Sequence, residues 1–212
     1  LYIQIIIEWK KILWVMKCLF LGYNRDKTKL IRIIEKKGIK VKNISRKLKQ
    51  SDLDNYDFYI SFGYRNIISE KLLNKAKRPI INLHMSYLPF NRGRHSAFWG
   101  IVEKTKLGAS SHWLDFNFDT GDIFYQEQLK GNQNYSAKEV YFKQLKLLKK
   151  VIFKTVDLIT KGKFKRVKQN NEKATYHFAS EIKDFTSFNM KDKINNLKLS
   201  NVIRGTTFNE KT

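Results

Sequence analysis

From Met16 onward the chain alternates short apolar runs with amphipathic stretches. Lys17 to Leu21 reads as a buried strand ending in Gly22-Tyr23-Asn24. A helix follows: Asn24 or Asp26 can cap it, Leu30, Ile33 and Ile34 give it an apolar face, and Gly38 stops it after two lysines suited to a helix C-terminus. Ile39 to Ile44 is a second strand and Asp57 to Phe62 a third. Gly63-Tyr64-Arg65 then leads to a helix around Ser69 to Lys75, and Pro79 to Leu83 is a fourth strand. This β-α-β alternation predicts an α/β fold, a mostly parallel sheet flanked by helices, in which ligands gather at the carboxyl ends of the strands.

A polar loop from Ser86 to Ser96 precedes a helical stretch, Ala97 to Lys104. Ala109 to Leu114 alternates like a strand, and Ile123 to Leu129 supplies another. Ser136 and Glu139 form a capping box for a long helix with Tyr141, Leu145, Leu148, Ile152, Val156 and Ile159 on its apolar face, ending at Gly162. Beyond Gly162 the chain turns polar and irregular: residues 163–173 read as a linker or short hairpin, and 175–208 carry few periodic features. The expected organisation is an N-terminal extension at 1–15, a catalytic domain at 16–162, and a small irregular C-terminal extension at 163–212 whose end falls soon after its last recognisable segment.

Composition changes this picture little. The 42 basic against 19 acidic residues give a formal charge of +23, but the lysines lie on nearly every element beside abundant Ile, Asn, Tyr and Phe. A general excess of that kind favours anionic ligands without requiring a dedicated nucleic-acid or membrane partner. Glu8, Lys10 and Lys11 break the first apolar run before it reaches spanning length, which argues against secretion. Cys18 has no partner cysteine and sits in an apolar run, consistent with core packing in a reducing compartment and a cytoplasmic location.

The candidate chemistry lies at strand ends. Asn82 and His84 are two residues apart, so a strand would present both on one face while Leu83 points to the other. Asp119 follows in Phe-Asp-Thr-Gly-Asp. An amide donor, an imidazole and a carboxylate, with no Ser or Cys nucleophile, suit acyl transfer to an external amine: hydrogen bonds to a tetrahedral oxyanion, a base for the amine proton, and a charge to orient the imidazole. A turn-forming asparagine and a surface histidine fit the same spacing. His112 reads as a structural neighbour, and Trp99 and Trp113 as core. His84, His95, His112 and Asp119 could converge on a metal, but no tight ligand pair is present, and none is expected.

The run Ile-Ile-Asn-Leu-His-Met-Ser-Tyr-Leu-Pro-Phe-Asn-Arg-Gly at 80–93, followed by Phe-Asp-Thr-Gly-Asp-Ile at 118–123, resembles the 10-formyltetrahydrofolate-dependent formyltransferases. The similarity runs from about Met16 to Leu129 and more faintly to Phe208. It implies a Rossmann-like formyltransferase fold, with Asn82 stabilising an oxyanion, His84 as general base or electrostatic partner, and Asp119 tuning His84. The family's Ser-Leu-Leu-Pro folate loop falls on Ser86, Tyr87, Leu88 and Pro89, with tyrosine in place of the first leucine. These four and Thr120-Gly121 are the implied contacts for 10-formyltetrahydrofolate.

Which amine is served follows from finer resemblance. Leu-Gly-Tyr-Asn-Arg at 21–25 lacks the phosphate turn of glycinamide ribonucleotide formyltransferases, and some fifty residues after Gly162 are fewer than the C-terminal domain of methionyl-tRNA formyltransferases. Segments 62–65, 87–93, 174–177 and 203–208 look like those of nucleotide-linked amino-sugar N-formyltransferases, which serve bacterial surface polysaccharide such as O-antigen. Tyr64, Arg92, Arg94 and His95 are then the candidate substrate contacts, the arginines for a diphosphate. A homodimer is compatible with this reading. The alternatives are a formyltransferase acting on methionyl-tRNA or a ribonucleotide amine, and a basic nucleic-acid-binding module without turnover.

Overall fold

The computed structural model describes residues 15–78, 80–131, 134–187 and 196–207. Residues 1–14 of the expected N-terminal extension, Pro79 of the fourth strand and Phe208 lie outside them. By its internal packing the chain divides into two units, Leu1–Ile80 and Ile81–Thr212.

In the first unit, β1 (Lys17–Gly22) runs parallel to both β2 (Lys40–Ile44) and β3 (Phe58–Phe62). Cys18 to Leu21 and Phe58 to Ile60 are fully or almost fully buried, as continuous apolar runs in a parallel sheet demand. Burial also raises the Cys18 thiol pKa well above its ordinary value, so Cys18 serves as core. Helix α1 (Leu30–Glu35) buries Leu30, Ile31 and Ile34. Helix α2 (Glu70–Lys75) begins after Ser69. Gly22, at φ +113°, ends β1 where a Cβ would lie 2.0 Å from the Phe62 carbonyl oxygen, so only glycine fits this turn.

In the second unit β4 (Ile80–His84) pairs antiparallel with β6 (Gly108–Trp113), and β6 antiparallel with β7 (Ile123–Gln128). A short ladder joins β5 (Arg92–Gly93) to β8 (Tyr176–His177). Helix α3 (Ser96–Val102) starts one residue earlier than the pattern predicts. Helix α4 (Ala137–Thr160) carries the anticipated capping box, Ser136 accepting from Glu139 N–H and Glu139 accepting from Ser136 N–H. Its buried face is centred on Val140, Gln144, Leu148, Val151 and Thr155, whereas Tyr141 and Leu145 are only half-buried. The polar Gln144 and Thr155 are buried because each has a partner across the interface: the Gln144 amide donates to the Met85 carbonyl, and Thr155 shares a 2.7 Å hydrogen bond with Ser111 on β6.

The described residues of the C-terminal extension, 163–187 and 196–207, form more regular elements than their composition suggests. Residues 165–177 form a strap, fixed by paired main-chain bonds between Val167 and Ile123 (2.8 and 3.0 Å) and by Trp113 Nε1 donating to the Lys165 carbonyl at 3.0 Å. Helices α5 (Glu181–Thr186) and α6 (Asn196–Thr206) follow. Gly205 of α6 sits so close to Phe98 of α3 that a Cβ would meet its ring at 2.6 Å. Small size, which leaves no periodic signal, is what that contact needs.

Candidate functional site

The β4–β6 register sets Asn82 opposite His112 and His84 opposite Ser110. Asn82 and His84 emerge on one face by the strand alternation, and Asp119 reaches them from the loop between β6 and β7. Asn82 Nδ2 lies 3.2 Å from His112 Nε2 and 3.3 Å from Asp119 Oδ1. Asp119 Oδ1 is 3.2 Å from His112 Nε2, and its Oδ2 is 3.5 Å from His84 Nδ1. The structure therefore gathers the three residues singled out in the sequence and adds His112 in direct contact with two of them. That direct involvement is what strand alternation alone left open.

The bonds fix much of the proton inventory. His84 Nε2 lies 3.0 Å from the Asn91 carbonyl and must donate to it, so Nδ1 is the bare nitrogen in the neutral ring. His112 Nδ1 lies 3.0 Å from the Trp113 carbonyl and is likewise the protonated nitrogen. A neutral His112 accepts a hydrogen from Asn82 through Nε2; a protonated one donates to Asp119 instead. Burial raises the Asp119 pKa, but His84, the His112 hydrogen bond and the Gly93 N–H at 2.9 Å outweigh it and hold the carboxyl well below the usual carboxylate range. Asp119 is thus a fixed negative charge between two imidazoles.

Backbone strain collects here. Asn91, His95 and Asp119 all take left-handed conformations, with φ of +56°, +59° and +57°. Asn91 is fully buried and braced: its N–H donates to Thr175 Oγ1 at 2.8 Å and its amide to Thr105 Oγ1 at 2.8 Å. The carbonyl that orients His84 therefore belongs to a residue held on both sides.

The other expected contacts divide. Ser86 and Leu88 are buried; Leu88 N–H donates to Ser110 Oγ and its carbonyl accepts from Gln126, so Leu88 supports the loop from within. Tyr87 and Pro89 are half-buried. Thr120 Oγ1 donates to Asp115 at 2.6 Å, and Gly121 is buried with its carbonyl accepting from Gln169 at 2.7 Å. Gly121 is glycine for want of space: a Cβ would lie 1.8 Å from the Trp113 carbonyl oxygen. A solvent-facing guanidinium fork is not what Arg92 provides. Its side chain is buried and donates to Gln169 Oε1 and Asn171 Oδ1, and burial lowers its pKa. Arg94 is exposed. His95 precedes α3, with its pKa lowered by burial and by Arg94. Tyr64, in the first unit, donates to the Arg46 carbonyl (2.9 Å) and accepts from Leu48 N–H (2.7 Å), a latch on the loop after β2. Among the described residues no group of three or more His, Cys, Asp or Glu is arranged to hold a metal, and no helix is long and apolar enough to cross a membrane.

Comparison with known proteins follows the same lines. Residues 17–156 match the family described as formyl transferase. A GDP-perosamine N-formyltransferase of Brucella melitensis is 38% identical over 90 residues, 42% of this chain and 35% of that protein. A methionyl-tRNA formyltransferase of Clostridium acetobutylicum is 30% identical over 150 residues, 70% of this chain and 47% of that protein. The chain thus spans between about a third and a half of the length of the curated relatives it matches. Among solved structures, the formyltransferase PseJ of Anoxybacillus kamchatkensis, in complex with UDP-4,6-dideoxy-4-formamido-L-AltNAc and tetrahydrofolate, superposes with a TM-score of 0.71 at 30% identity, covering 79% of this chain and 88% of that one.

Proposed function

The chain belongs to the formyl transferase family, and we propose that it carries a formyl group from 10-formyltetrahydrofolate to the primary amine of a nucleotide-linked amino-deoxysugar. One observation carries the reading: Asn82, His84 and Asp119 meet on one strand face, with the carboxylate held ionised between two imidazoles. A relative that acts on GDP-perosamine, and a neighbour solved with a UDP-linked formamido sugar and tetrahydrofolate, support the choice of substrates.

In this reaction the amine lone pair attacks the formyl carbon and the carbonyl becomes an oxyanion. The amine then loses a proton, the bond from carbon to the folate nitrogen breaks, and that nitrogen takes a proton to give tetrahydrofolate and a formamide. His84 Nδ1 is the base, because its other nitrogen is spent on Asn91, and Asp119 stabilises the imidazolium that forms. Asn82 supplies the oxyanion hydrogen bond. Its amide hydrogens are directed at His112 and Asp119, and a proton on His112 Nε2, donated to Asp119, releases one of them. Tyr87 and Pro89, half-buried beside the site, are the loop residues left to touch the folate. Arg94 is the exposed guanidinium for a diphosphate. The reading carries with it a cytoplasmic reaction feeding bacterial surface polysaccharide.

The 30% identity to a methionyl-tRNA formyltransferase over 70% of this chain favours methionyl-tRNA as the second acceptor to try. The test offers 10-formyltetrahydrofolate with GDP- and dTDP-linked 4-amino and 3-amino sugars, and separately with methionyl-tRNA, and follows release of tetrahydrofolate. Asn82→Ala and His84→Ala should each lower kcat by about 10²-fold or more, the usual weight of an oxyanion donor or a general base. Turnover on tRNA alone would replace the sugar reading, and undiminished turnover in both variants would remove the assigned roles.

A further inference from the structure

One side chain of the strap makes four hydrogen bonds. Gln169 Oε1 accepts from Arg92 Nε at 3.1 Å and Nη2 at 2.9 Å, while its Nε2 donates to the carbonyls of Asp119 at 2.8 Å and Gly121 at 2.7 Å. Both amide hydrogens and both oxygen lone pairs are used, so the amide can face only one way. We infer that Gln169, oriented by Arg92, is a positioning residue that holds the main chain on either side of Thr120 and thereby keeps the Asp119 carboxylate on His84 and His112.

The geometry closes a ring. Arg92 precedes Gly93, whose N–H donates to Asp119 Oδ2 at 2.9 Å. Strand β5 therefore grips the same aspartate twice, through Gln169 at its main chain and directly at its carboxylate. Such a double grip is needed because Asp119 has φ of +57°, a conformation that L-residues leave unless held. Arg92 is buried, yet its hydrogens go to two neutral amides, Gln169 and Asn171, and not to a carboxylate. A guanidinium spent in this way fixes direction. The strap is itself anchored at Val167 to Ile123 and at Thr175, which accepts from Asn91 N–H, so the frame reaches His84 as well through the Asn91 carbonyl.

This inference rests on the reading that Asp119 serves the reaction, and its test separates the two. Gln169→Met keeps the length of the side chain and removes all four bonds. The carboxyl 13C titration of Asp119 is measured in the parent and the variant without substrate; the charged or titratable groups acting on it are His84, His112, Arg92 and Tyr176. The titration should move up toward the ordinary carboxylate range in the variant. In parallel, kcat should fall by about 100-fold, the scale of an ångström of misplacement, while KM for both substrates changes little. Gln169→Glu separates the donors from the acceptor: its carboxylate still accepts from Arg92 but has no hydrogen for the two carbonyls, so, with circular dichroism showing that it is folded at the assay temperature, it should lose kcat comparably. An unmoved Asp119 titration in Gln169→Met, or a folded Gln169→Glu with parental kcat, overturns the inference. If the parent formylates no amine, the functional reading fails and the titration still decides the clamp.

Discussion

Gly121→Ala tests whether the site is set by space between two loops. A Cβ at 121 would stand 1.8 Å from the Trp113 carbonyl oxygen and 2.8 Å from its carbon, where real Cβ contacts essentially never fall below 3.0 Å. One partner must then move by more than about 1 Å, and neither is idle. The Trp113 carbonyl accepts His112 Nδ1–H at 3.0 Å, and the Gly121 carbonyl accepts from Gln169 at 2.7 Å. Displacing the first turns His112 away from Asp119; displacing the second loosens Asp119 itself. Overpacking of this sort costs about 1–3 kcal/mol of stability, and an ångström of misplacement costs about 10²-fold in rate. Thermal unfolding and steady-state kinetics with 10-formyltetrahydrofolate should show a lowered Tm and a kcat loss in that range, with KM much less affected. A variant with parental Tm and kcat would refute the argument that the loop is wedged against β6.

Two further perturbations probe the frame. The Arg46 fork, against the opposing effect of burial and helped by Lys49 N–H, holds the Asp52 carboxyl down to about 2. A depressed folded pKa contributes stability above the unfolded value near 3.9 that is lost as pH falls through the folded one, so Asp52→Asn should cost about 1 kcal/mol at neutral pH after screening at the exposed guanidinium and progressively less between pH 4 and about 2. Urea midpoints across that range give the answer, and a penalty independent of pH would count against the pair. Ser136→Ala removes the cap of α4 and should lower stability by about 1 kcal/mol with kcat unchanged; a kcat loss would mean that the start of α4 is coupled to the site.

Sequence periodicity carried the parallel strands and the long helix because those elements bury apolar residues at their own period: Cys18 to Leu21 as a continuous run, and Leu148 to Ile159 at helical spacing. The pair Asn82 and His84 was legible for the same reason, since strand alternation alone puts both on one face. Where polar residues are buried through specific partners, the pattern misleads. Gln144 and Thr155 displaced the expected face of α4, and Arg92, which reads as a solvent-facing phosphate fork, is buried against two amides. Gln169 had no signal at all. It lies in a lysine-rich stretch with no periodicity, and its four hydrogen bonds go to three residues 48 to 77 positions away in the chain. Nor does any local pattern tell that a Cβ at Gly121 would lie 1.8 Å from the Trp113 carbonyl oxygen. Tertiary hydrogen bonds of this kind are set by the meeting of loops, which no local window contains.

The strap also bears on how the protein is made. Every titratable group of the site has been synthesised once Asp119 leaves the peptidyl-transfer centre, and the family match closes at residue 156. The residues that bond Asp119 and Asn91, Gln169 and Thr175, are added later, roughly 0.5–3 s after α4 is complete at ordinary translation rates. A chain ending near 162 therefore contains Asn82, His84, His112 and Asp119 but not the Gln169 and Thr175 that bond the main chain around them. If the site acts as proposed, its alignment therefore waits for a strap that is synthesised after Asn82, His84, His112 and Asp119.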